Sequence, residues 1–576
     1  MDGNVRTNVG TPPKTLFVDF EGIDGSGKTS LSNRVADLLR GQGYTVHHVR
    51  DKGVFKSVVS KEIRSVTRDP HFLRMGDTTE LLLYVARDAQ MVEEYIKPRL
   101  KEGAIIFCDR YFYSSVAHSH FGRGLDRTAV EQVIEPAAQG IWPDFVVYCD
   151  VNSLTSRVRK RIQKIHDHRF GDFGRKGLMG IGFRERMREG FLALARENPE
   201  EWLVVDNARN TFEASLAQIY GAIADALVKK GFPRPEPLAV EATPVERTSY
   251  ATFAEREDRA GLAAAFWKHL ERLAAAQPGM AGFYVIKLDT PEAYAVRDMI
   301  FDREPEIIAY GLSGLNSPKS MEYRTRLVPV APFFVARSLG GLKRDPKAME
   351  LRARLVARAP GQVALSLRGI DSPEAWALRQ RLRDEAIREV IASLRGIDTD
   401  QAWRLREQHF KKKYYEPLAE SLGGIDTDRA WAVREEMADR ALPWVLMSLR
   451  GCWSDRAWQW RFQYVDRAPK IIARTIGRQD TDNAWTIRDR VKTYVKEVLD
   501  SVGGLDGERA WNLRFELAER WPNTAVSSLG AGNQSERAWR FRWEVLRKDP
   551  ENLLLVKHVV KAAVRAAEDE DEIEED

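Results

Sequence analysis

The stretch that decides the fold is "TLFVDFEGIDGSGKTS", residues 15–30. An apolar run of strand length leads directly into the spacing Gly-x-x-x-x-Gly-Lys-Thr, and a helical pattern follows. Such a glycine-rich loop can aim its backbone N–H groups and a helix N-terminus at a polyphosphate, with the lysine on the terminal phosphates and the threonine hydroxyl on Mg²⁺. A plain glycine-rich turn is the alternative, but the flanking strand and helix argue against it. The residues predicted to bind the nucleoside triphosphate are Gly22, Ile23, Asp24, Gly25, Ser26, Gly27, Lys28, Thr29 and Ser30.

Short apolar runs alternate with helix-length segments through the first 230 residues. The runs are "TLFVDF" (15–20), "TVHHV" (45–49), "AIIFC" (104–108), "FVVYC" (145–149) and "WLVVD" (202–206). Continuous apolar strands separated by helices predict a parallel sheet covered on both faces. Ligands of such a sheet bind at the carboxyl ends of its strands.

Asp109 and Arg110 follow the third apolar run in "CDRYFYSSVAHS" (108–119). At the carboxyl end of a strand parallel to that of the loop, Asp109 can reach the Mg²⁺ shell and Arg110 the phosphate-transfer region. An Asp-Arg pair alone is weak evidence for a phosphate-transfer site. Its position at the end of a strand strengthens that evidence. The sequence therefore predicts Thr29 and Asp109 as the Mg²⁺ site.

A basic segment, "RVRKRIQKIHDHRFGDFGRKG" (157–177), lies between the fourth and fifth runs. A mobile basic lid closing on the migrating phosphoryl group supplies charge and excludes water. A solvated basic helix face is the alternative interpretation of this segment.

Several motifs in one order make residues 15–210 resemble the thymidylate kinase family. They are "FEGIDGSGKTS", "CDRYFYSS.A", "GRGLDRTAVEQV", "WPDFVVYCDV" and "FRERMREGFLALA". The resemblance implies an α/β P-loop kinase domain with a five-stranded parallel sheet and helices on both faces. It also implies a nucleoside monophosphate kinase of nucleotide biosynthesis, which phosphorylates dTMP to dTDP with ATP as the phosphoryl donor and Mg²⁺.

The resemblance also implies roles for individual residues. Asp24 contacts the acceptor sugar, Arg110 its phosphate, and Tyr84 stacks on its base. The acceptor-binding residues are then Asp24, Arg50, Tyr84, Arg87, Arg110, Ser115 and His118. The catalytic residues are Lys28, Asp109, Arg110 and, from the lid, Arg169 and Arg175.

The departures from the family pattern lie mostly on the acceptor side. The family usually has Asp-Arg where this chain has Arg87-Asp88, and the exchange turns the arginine by about 100° around its helix, away from the acceptor. His118-Ser119 replaces Tyr-Gln, and the tyrosine is the family's expected barrier to a ribose 2′-hydroxyl. "RDKGV" (50–54) replaces the "REPGG" turn.

The second half of the chain is repetitive. "GIDSPEAWALR" (369–379) returns as "GIDTDQAWRLR" (396–406) and "GIDTDRAWAVR" (424–434), with looser copies on both sides, which gives about ten units of roughly 27 residues. Ser372 and Thr290 can cap helices that begin at a proline, and Gly369 or Gly396 can end the preceding helix. We therefore expect two short helices per unit, stacked as an all-α solenoid.

Two columns of residues recur in the repeats. Trp376, Trp403, Trp431, Trp458, Trp485, Trp511 and Trp539 are interpreted as a core ladder, with an aromatic ligand surface as the alternative. Arg379, Arg406, Arg434, Arg461, Arg488, Arg514 and Arg542 follow three residues after each Trp. They indicate either a structural ladder that covers the Trp and bonds neighbouring carbonyls, or a row of cations for phosphate or an acidic partner.

The predicted domain organisation is an N-terminal extension (1–14), a kinase-like P-loop domain (15–230), a Pro/Glu-rich linker (231–250), a helical connector (251–285), the repeat solenoid (286–560) and an acidic tail (561–576). We expect the tail, "EDEDEIEED" from Glu568, to be disordered.

Bulk composition narrows the class of protein. Of 576 residues, 43% are hydrophobic and 30% are charged. The net charge is only +5, which is too small for the overall electrostatic field of the protein to attract nucleic acid. Three scattered cysteines indicate neither disulfides nor a zinc site. With no apolar leader or long apolar run, we expect a cytoplasmic protein without membrane contact.

The sequence thus predicts a dTMP-phosphorylating kinase fused to a protein-interaction solenoid. The alternative is a nucleotide-gated scaffold that binds ATP without turnover. We expect a nucleoside monophosphate substrate, a protein partner on the repeats and a homodimer through the kinase domain, and we regard nucleic-acid binding along the Arg column as a weaker hypothesis.

Overall fold

The computed structural model describes residues 14–50, 55–73, 75–168, 180–238 and 249–574. The chain separates into two compact units, Met1–Lys160 with Gly174–Glu246, and Arg161–Phe173 with Arg247–Asp576. The finer domain boundaries expected from the sequence stay predictions.

A five-stranded sheet forms the centre of the first unit. Its strands are β1 (Leu16–Glu21), β2 (Val46–His48), β3 (Ile105–Asp109), β4 (Phe145–Asp150) and β5 (Trp202–Asp206). Their order is β2-β3-β1-β4-β5 and every neighbouring pair is parallel. Phe20 of β1 lies opposite Asp109 of β3, so the loop after β1 and the Asp-Arg pair meet at one edge. The predicted parallel sheet is confirmed.

Helices cover both faces of the sheet. They are α1 (Lys28–Gly41), α2 (Val58–Arg68), α3 (Asp77–Met91), α4 (Lys97–Lys101), α5 (Phe112–Val116), α6 (Arg127–Ala138), α7 (Ser153–His166), α8 (Gly180–Glu197) and α9 (Phe212–Lys229), with a 3₁₀ turn at Pro70–Phe72 and π-helical turns at Val92–Ile96 and Ala117–Gly122. Leu39 and Ile223 lie in the core on one face, and Ile134 and Phe191 in the core on the other.

The start of the predicted linker packs on this unit. The backbone N–H of Glu236 donates to Gln42 (2.8 Å), and its carbonyl accepts from the Tyr220 hydroxyl (2.8 Å). Residues 239–248 lie outside the described part of the chain.

Short helices alternate through the second unit. The connector holds α10 (Ala251–Arg256), α11 (Arg259–Ala276) and α12 (Pro278–Tyr284). The repeats are α13 (Pro291–Met299), α14 (Pro305–Gly311), α15 (Pro318–Leu327), α16 (Pro332–Ser338), α17 (Pro346–Leu355), α18 (Pro360–Ser366), α19 (Pro373–Arg381), α20 (Ile387–Ala392), α21 (Asp400–Phe410), α22 (Tyr415–Ser421), α23 (Asp428–Ser448), α24 (Asp455–Tyr464), α25 (Pro469–Thr475), α26 (Asp482–Arg490), α27 (Val495–Ser501), α28 (Glu508–Ala518), α29 (Pro522–Leu529), α30 (Glu536–Lys548) and α31 (Leu553–Glu574).

Within residues 291–574, all of them described, the helices form ten units. Their first helices begin 26 to 28 residues apart, from Pro291 to Glu536. In the unit of α23 both helices are continuous across a kink at Ala441, with Pro443 just beyond it. Each unit therefore consists of a pair of helices.

The helix caps named from the sequence, at Thr290 and Ser372, form as predicted. The hydroxyls of Thr290 and Ser372 accept hydrogen bonds from the backbone N–H groups of Ala293 and Ala375, one turn into helices that begin with proline. Gly369 follows its helix in the left-handed region, with φ of 64°. A side chain there would be strained, so glycine ends the helix at low cost.

The Arg column forms a buried ladder. Its members, now including three looser units, are Arg297, Arg324, Arg352, Arg379, Arg406, Arg434, Arg461, Arg488, Arg514 and Arg542, each at most 2% exposed. Arg379 donates to the carbonyls of Leu367 (2.8 Å) and Ile370 (2.9 Å) and to the hydroxyl of Ser393 (2.9 Å). Its guanidinium lies 4.8 Å from the ring centre of Trp376. The structural interpretation is confirmed and the row of accessible cations is wrong.

The Trp column is mostly core, as predicted. In six of its seven members the indole N–H donates to the side chain five residues earlier, and at Trp458 that position is occupied by Trp453. Trp403 donates to Asp398 (2.5 Å) and Trp431 to Asp426 (2.8 Å). Asp426 also accepts from the hydroxyl of Ser454, the N-cap of the next unit (2.8 Å). The aspartate of "GID" thus joins one unit to the next.

The ends of the second unit pack against each other. Helix α31 packs on α11 and α30 on α10. Tyr250 donates its backbone N–H to the Pro550 carbonyl (3.2 Å), and Arg547 pairs with Glu257 (2.5 Å). The stack of repeats is therefore a closed array.

The acidic end of the chain differs from expectation. Its backbone is helical to Glu574 as part of α31, which buries Val559 and Ala562 against the array. The expected disorder is therefore wrong for the backbone as far as Glu574, because the tail continues the helix that begins at Leu553. No helix in the described part of the chain is long and apolar enough to cross a membrane.

Candidate active site

The loop after β1 has the backbone that the glycines predict. Gly22, Gly25 and Gly27 have φ of 146°, 85° and 89°. A Cβ on Gly22 would come within 2.6 Å of the Cys149 carbonyl oxygen. These positions require glycine for both conformation and space.

Two polar side chains that sequence reasoning missed hold the loop. Asn207, just after β5, donates to the Ser26 carbonyl and accepts from Ser215 (2.7 Å). Ser156 of α7 donates to the Asp24 carbonyl (2.5 Å). Neither belongs to a spacing pattern, so only the fold reveals that they fix the loop.

The predicted loop residues do not all face one way. Lys28 and Ser26 are buried, the Ile23 side chain lies in the core, and Ser30 is exposed on α1. Ile23 can therefore offer a phosphate only its backbone.

Asp109 is the centre of the site. It is 1% exposed, accepts a hydrogen bond from the Thr29 hydroxyl (2.5 Å) and lies 3.8 Å from the Lys28 ammonium. Arg50 donates to its carbonyl oxygen (3.1 Å). Burial alone would raise the pKa of Asp109, but the charges of Lys28, Arg50 and Arg110 lower that pKa to about 2. The carboxylate is therefore ionised at neutral pH.

Thr29 and Asp109 fit a Mg²⁺ ion by their chemistry. A hydroxyl and a carboxylate lie side by side at the loop, and both are the oxygen ligands that Mg²⁺ prefers. Among the described residues no group of three or more His, Cys, Asp or Glu could hold a metal. A Mg²⁺ ion at this position would complete its shell with water and phosphate oxygens.

Lys28 is placed to meet negative charge. Burial and the charge of Arg110 lower the pKa of Lys28 to about 8, while Asp109 and Asp24 oppose the shift. A polyphosphate beside the ammonium would favour the charged form.

Arg110 joins the loop to the neighbouring cleft. Its backbone has the unusual φ of 80°, and its guanidinium donates to Asp24 (2.8 Å) and Ser114 (3.0 Å) and lies 3.7 Å from Glu21. A non-glycine residue in that region carries strain, which neighbouring contacts must offset. The structure thus brings Asp24, Arg110, Lys28 and Asp109 together as predicted.

A cleft beside Arg110 gathers most of the predicted acceptor residues. It is lined by Arg50, Arg64, Thr67, Arg68, Tyr84, Arg87, Arg110, Ser114, Ser115, His118 and Met187. Arg64 and Arg68 of α2 were missed, although their spacing of four residues places both on one helix face. Burial and the charges of Arg50 and Arg68 lower the pKa of Arg64 to about 9, which reflects a cluster of like charges suited to an anion.

The position of Arg87 differs from the one expected from helix rotation, which turned its side chain away from the acceptor. It lines the cleft, and its guanidinium forms two hydrogen bonds of 2.8 Å with the buried carboxylate of Asp88. Its guanidinium carbon lies 5.0 Å from the Tyr84 ring centre. A long side chain held by its neighbour reaches the cleft despite the exchanged order.

His118 forms part of an aromatic wall. Its ring meets Tyr84 and Phe183 edge-on, with ring centres 4.9 Å apart in both pairs. The hydroxyl of Ser115 is buried, and no hydrogen-bond partner for it is found among the described residues. An apolar wall with a few polar atoms is typical of a pocket for a planar base.

The lid arginines Arg169 and Arg175 lie outside the described residues. The start of the basic segment is described as α7, whose Arg159 donates to the Asn207 carbonyl (2.8 Å).

Comparison with known proteins places these features in a family. The family model Thymidylate kinase matches residues 20–219. The thymidylate kinase of Geobacter sulfurreducens is 38% identical over 216 residues, which cover 37% of this chain and 97% of that protein. The thymidylate kinase of Pelobacter propionicus is 35% identical over 213 residues, or 37% of this chain and 95% of that protein. The thymidylate kinase of Enterococcus faecalis is 34% identical over 211 residues, or 36% and 96%.

Proposed function

Because this chain belongs to the thymidylate kinase family through residues 20–219, we propose that it transfers the terminal phosphoryl group of ATP to dTMP. The chain is a nucleoside monophosphate kinase with ATP as its phosphoryl donor. The main support for this site is the position of Asp109. Its side chain contacts Lys28 and Thr29 of the loop, and its carbonyl oxygen accepts a hydrogen bond from Arg50 of the arginine-lined cleft.

We assign the donor side to the loop and the first turn of α1. The backbone N–H groups of the loop would hold the β- and γ-phosphates, and the Lys28 ammonium would balance the charge that spreads over the migrating group. Thr29 and Asp109 would hold Mg²⁺, which would supply positive charge to offset that of the phosphates. Asn207 and Ser156 keep the loop in place from behind.

The acceptor would occupy the cleft. Arg110 and Arg50 flank its phosphate, and Tyr84 with His118 gives a wall for the pyrimidine. The attacking oxygen belongs to the acceptor phosphate, so no protein nucleophile is needed and the catalytic contribution is position and charge.

The test is ADP release by the full chain with Mg²⁺ and ATP against dTMP, dUMP, UMP, CMP and dCMP. We expect dTMP to be the best acceptor and Lys28→Met to abolish turnover. A preference for UMP or CMP would assign the chain to ribonucleotides and point to His118. ATP binding without turnover on any acceptor would refute the kinase proposal and favour the nucleotide-gated scaffold.

Arg110→Ala separates binding from chemistry. Since Arg110 faces the cleft, we expect this variant to lose turnover and to keep its affinity for ATP. We also propose a homodimer through the kinase domain. Size-exclusion chromatography with light scattering would test this by measuring the molar mass of the protein in solution.

A further inference from the structure

Phe55 contacts three of the arginines that line the cleft of the kinase unit. Its side chain is buried, with 2% of the residue exposed. The guanidinium carbons of Arg50, Arg64 and Arg87 lie over its ring, at 4.7, 5.7 and 5.3 Å from the ring centre. Arg50 lies just after β2, Arg64 belongs to α2 and Arg87 to α3. One ring therefore contacts a cation from each of three elements of the fold.

The three guanidinium groups repel one another and have lost much of their hydration. Arg50 is 6% exposed and Arg87 is 7% exposed. Burial and the charges of Arg50, Arg68 and Arg87 together lower the pKa of Arg64 to about 9. Like charges in a partly dry site move apart unless other groups stabilise them.

Polar groups of the protein hold these cations unequally. Arg87 forms two hydrogen bonds with Asp88, and Arg50 donates to the carbonyl oxygen of Asp109. The guanidinium of Arg64 forms no hydrogen bond or ion pair with any described residue. Its N–H donors can therefore pair with a ligand in the cleft, which Arg64 lines.

The aromatic ring suits a cluster of this kind. The face of the ring carries negative charge density, so it attracts a cation without forming an ion pair. A carboxylate in the same place would also attract the arginines, but it would occupy their donors and compete with a bound anion. The ring leaves those donors free for the paired hydrogen bonds that a phosphate accepts from a guanidinium.

We propose that Phe55 is a positioning residue for the phosphate of the acceptor. Its ring face keeps Arg50, Arg64 and Arg87 together at the cleft, and the three guanidinium groups bind the phosphate. Phe55 is not among the described residues that line the cleft, so it acts through the arginines. The inference rests on the proposed function, because it takes the ligand of the cleft to be a nucleoside monophosphate.

The test changes the charge distribution of the ring and keeps its shape. Phenylalanine analogues with one, two or three fluorine atoms are incorporated at position 55 of the full chain by nonsense suppression, because each fluorine withdraws electron density from the ring face. Calorimetry then measures dTMP binding in the absence of ATP. We expect binding to weaken with each fluorine, to about tenfold for the trifluoro analogue. ATP binding in the absence of dTMP should stay within twofold.

Phe55→Leu gives a second measurement. Leucine keeps an apolar side chain in the core to which Phe55 belongs and removes the aromatic face. We expect this variant to bind dTMP at least as weakly as the trifluoro analogue does. Melting curves check that every protein in the comparison is folded.

The matched control is the same series of analogues at Phe191. This residue is fully buried in the same apolar core and stacks on Tyr148. No cation in the described part of the chain lies over its ring, so fluorine there should leave dTMP binding within twofold of that of the unaltered chain.

Three results would overturn the inference while the proposed function stands. They are dTMP binding that varies less than twofold across the series at position 55, an equal trend at position 191, and a loss of ATP binding that matches the loss of dTMP binding. If the unaltered chain binds no dTMP, the proposed function fails and this inference fails with it.

Discussion

Replacing one ladder arginine by methionine should loosen the repeat array measurably. Arg379 is 2% exposed and makes three short hydrogen bonds, to Leu367, Ile370 and Ser393, at 2.8, 2.9 and 2.9 Å. Arg379→Met keeps most of the volume and removes all three, so two carbonyls and a hydroxyl lose a charged donor. At about 1.5 kcal/mol for each bond to a charged group, the loss is roughly 4–5 kcal/mol.

A second effect offsets part of this loss of stability. A methionine does not need the desolvation that a buried guanidinium requires, which recovers roughly 1–2 kcal/mol. We therefore expect the free energy of unfolding of the repeat-bearing unit to fall by about 3 kcal/mol. Arg379→Lys keeps a charge without the planar fork of donors, so it should recover less than half of this loss.

Urea unfolding followed by tryptophan fluorescence measures the effect. Of the 15 tryptophans, all except Trp142 and Trp202 lie in the repeat-bearing unit, so this signal reports chiefly on the array. Arg381→Met is the matched control, because Arg381 lies two residues further on the same helix and is exposed. It should change the free energy by less than about 0.5 kcal/mol.

An unchanged or raised stability in Arg379→Met would refute this reasoning. It would mean that the desolvation of the guanidinium outweighs its hydrogen bonds, and that the ladder persists for a reason other than stability.

Three further outcomes follow from single contacts. Asp109→Asn should lower kcat for ADP release at least about 100-fold, because the carboxylate beside the loop is lost, and a rate within threefold of normal would contradict this. Gly27→Ala would place a Cβ within 2.6 Å of the Asn207 amide nitrogen, so calorimetry should show at least tenfold weaker ATP binding, whereas Gly41→Ala, with open space around its Cβ, should bind normally. Burial lowers the pKa of Lys557 to about 7 from an unfolded value near 10.5, so the unfolded chain binds more protons between those values. Stability should therefore rise by about 1 kcal/mol per pH unit from pH 7.5 to 9 in urea titrations, and Lys557→Met should reduce the slope.

The parallel sheet was predictable because its strands are buried on both faces. "AIIFC" and "FVVYC" are continuous apolar runs, and each became a central strand within a residue or two of its expected bounds. The helix caps were equally readable, since a hydroxyl followed by proline is a local signal that needs no tertiary context.

The chemistry around the loop was only partly predictable. Lys28 and Asp109 follow from a motif and a strand end, but Asn207 is a single polar residue after β5 that no spacing marks. Arg87 was misjudged because helix rotation fixes the Cβ direction and not the course of a long side chain, which here follows Asp88.

The period of the repeats could be predicted from the sequence, but whether their arginines are buried or exposed could not. Arg379 could equally have faced solvent at that spacing. A further signal was present, since Ser393 lies 14 residues after it and Ser366 lies 14 residues after Arg352, and a hydroxyl in step with a cation suggests a bonded pair. The contact of α31 with α11 has no such signal, because each end occurs only once.

The closed array also constrains how its gene can change. In an open stack of repeats, units can be gained or lost at either end, because each unit touches only its neighbours. Here the contact between Arg547 and Glu257 joins the two ends. If one 27-residue copy were deleted, the angle between every remaining pair of neighbouring units would have to increase for the ends to meet. The copy number is thereby fixed by geometry, and we expect unequal recombination between these similar segments to yield chains that fail to close.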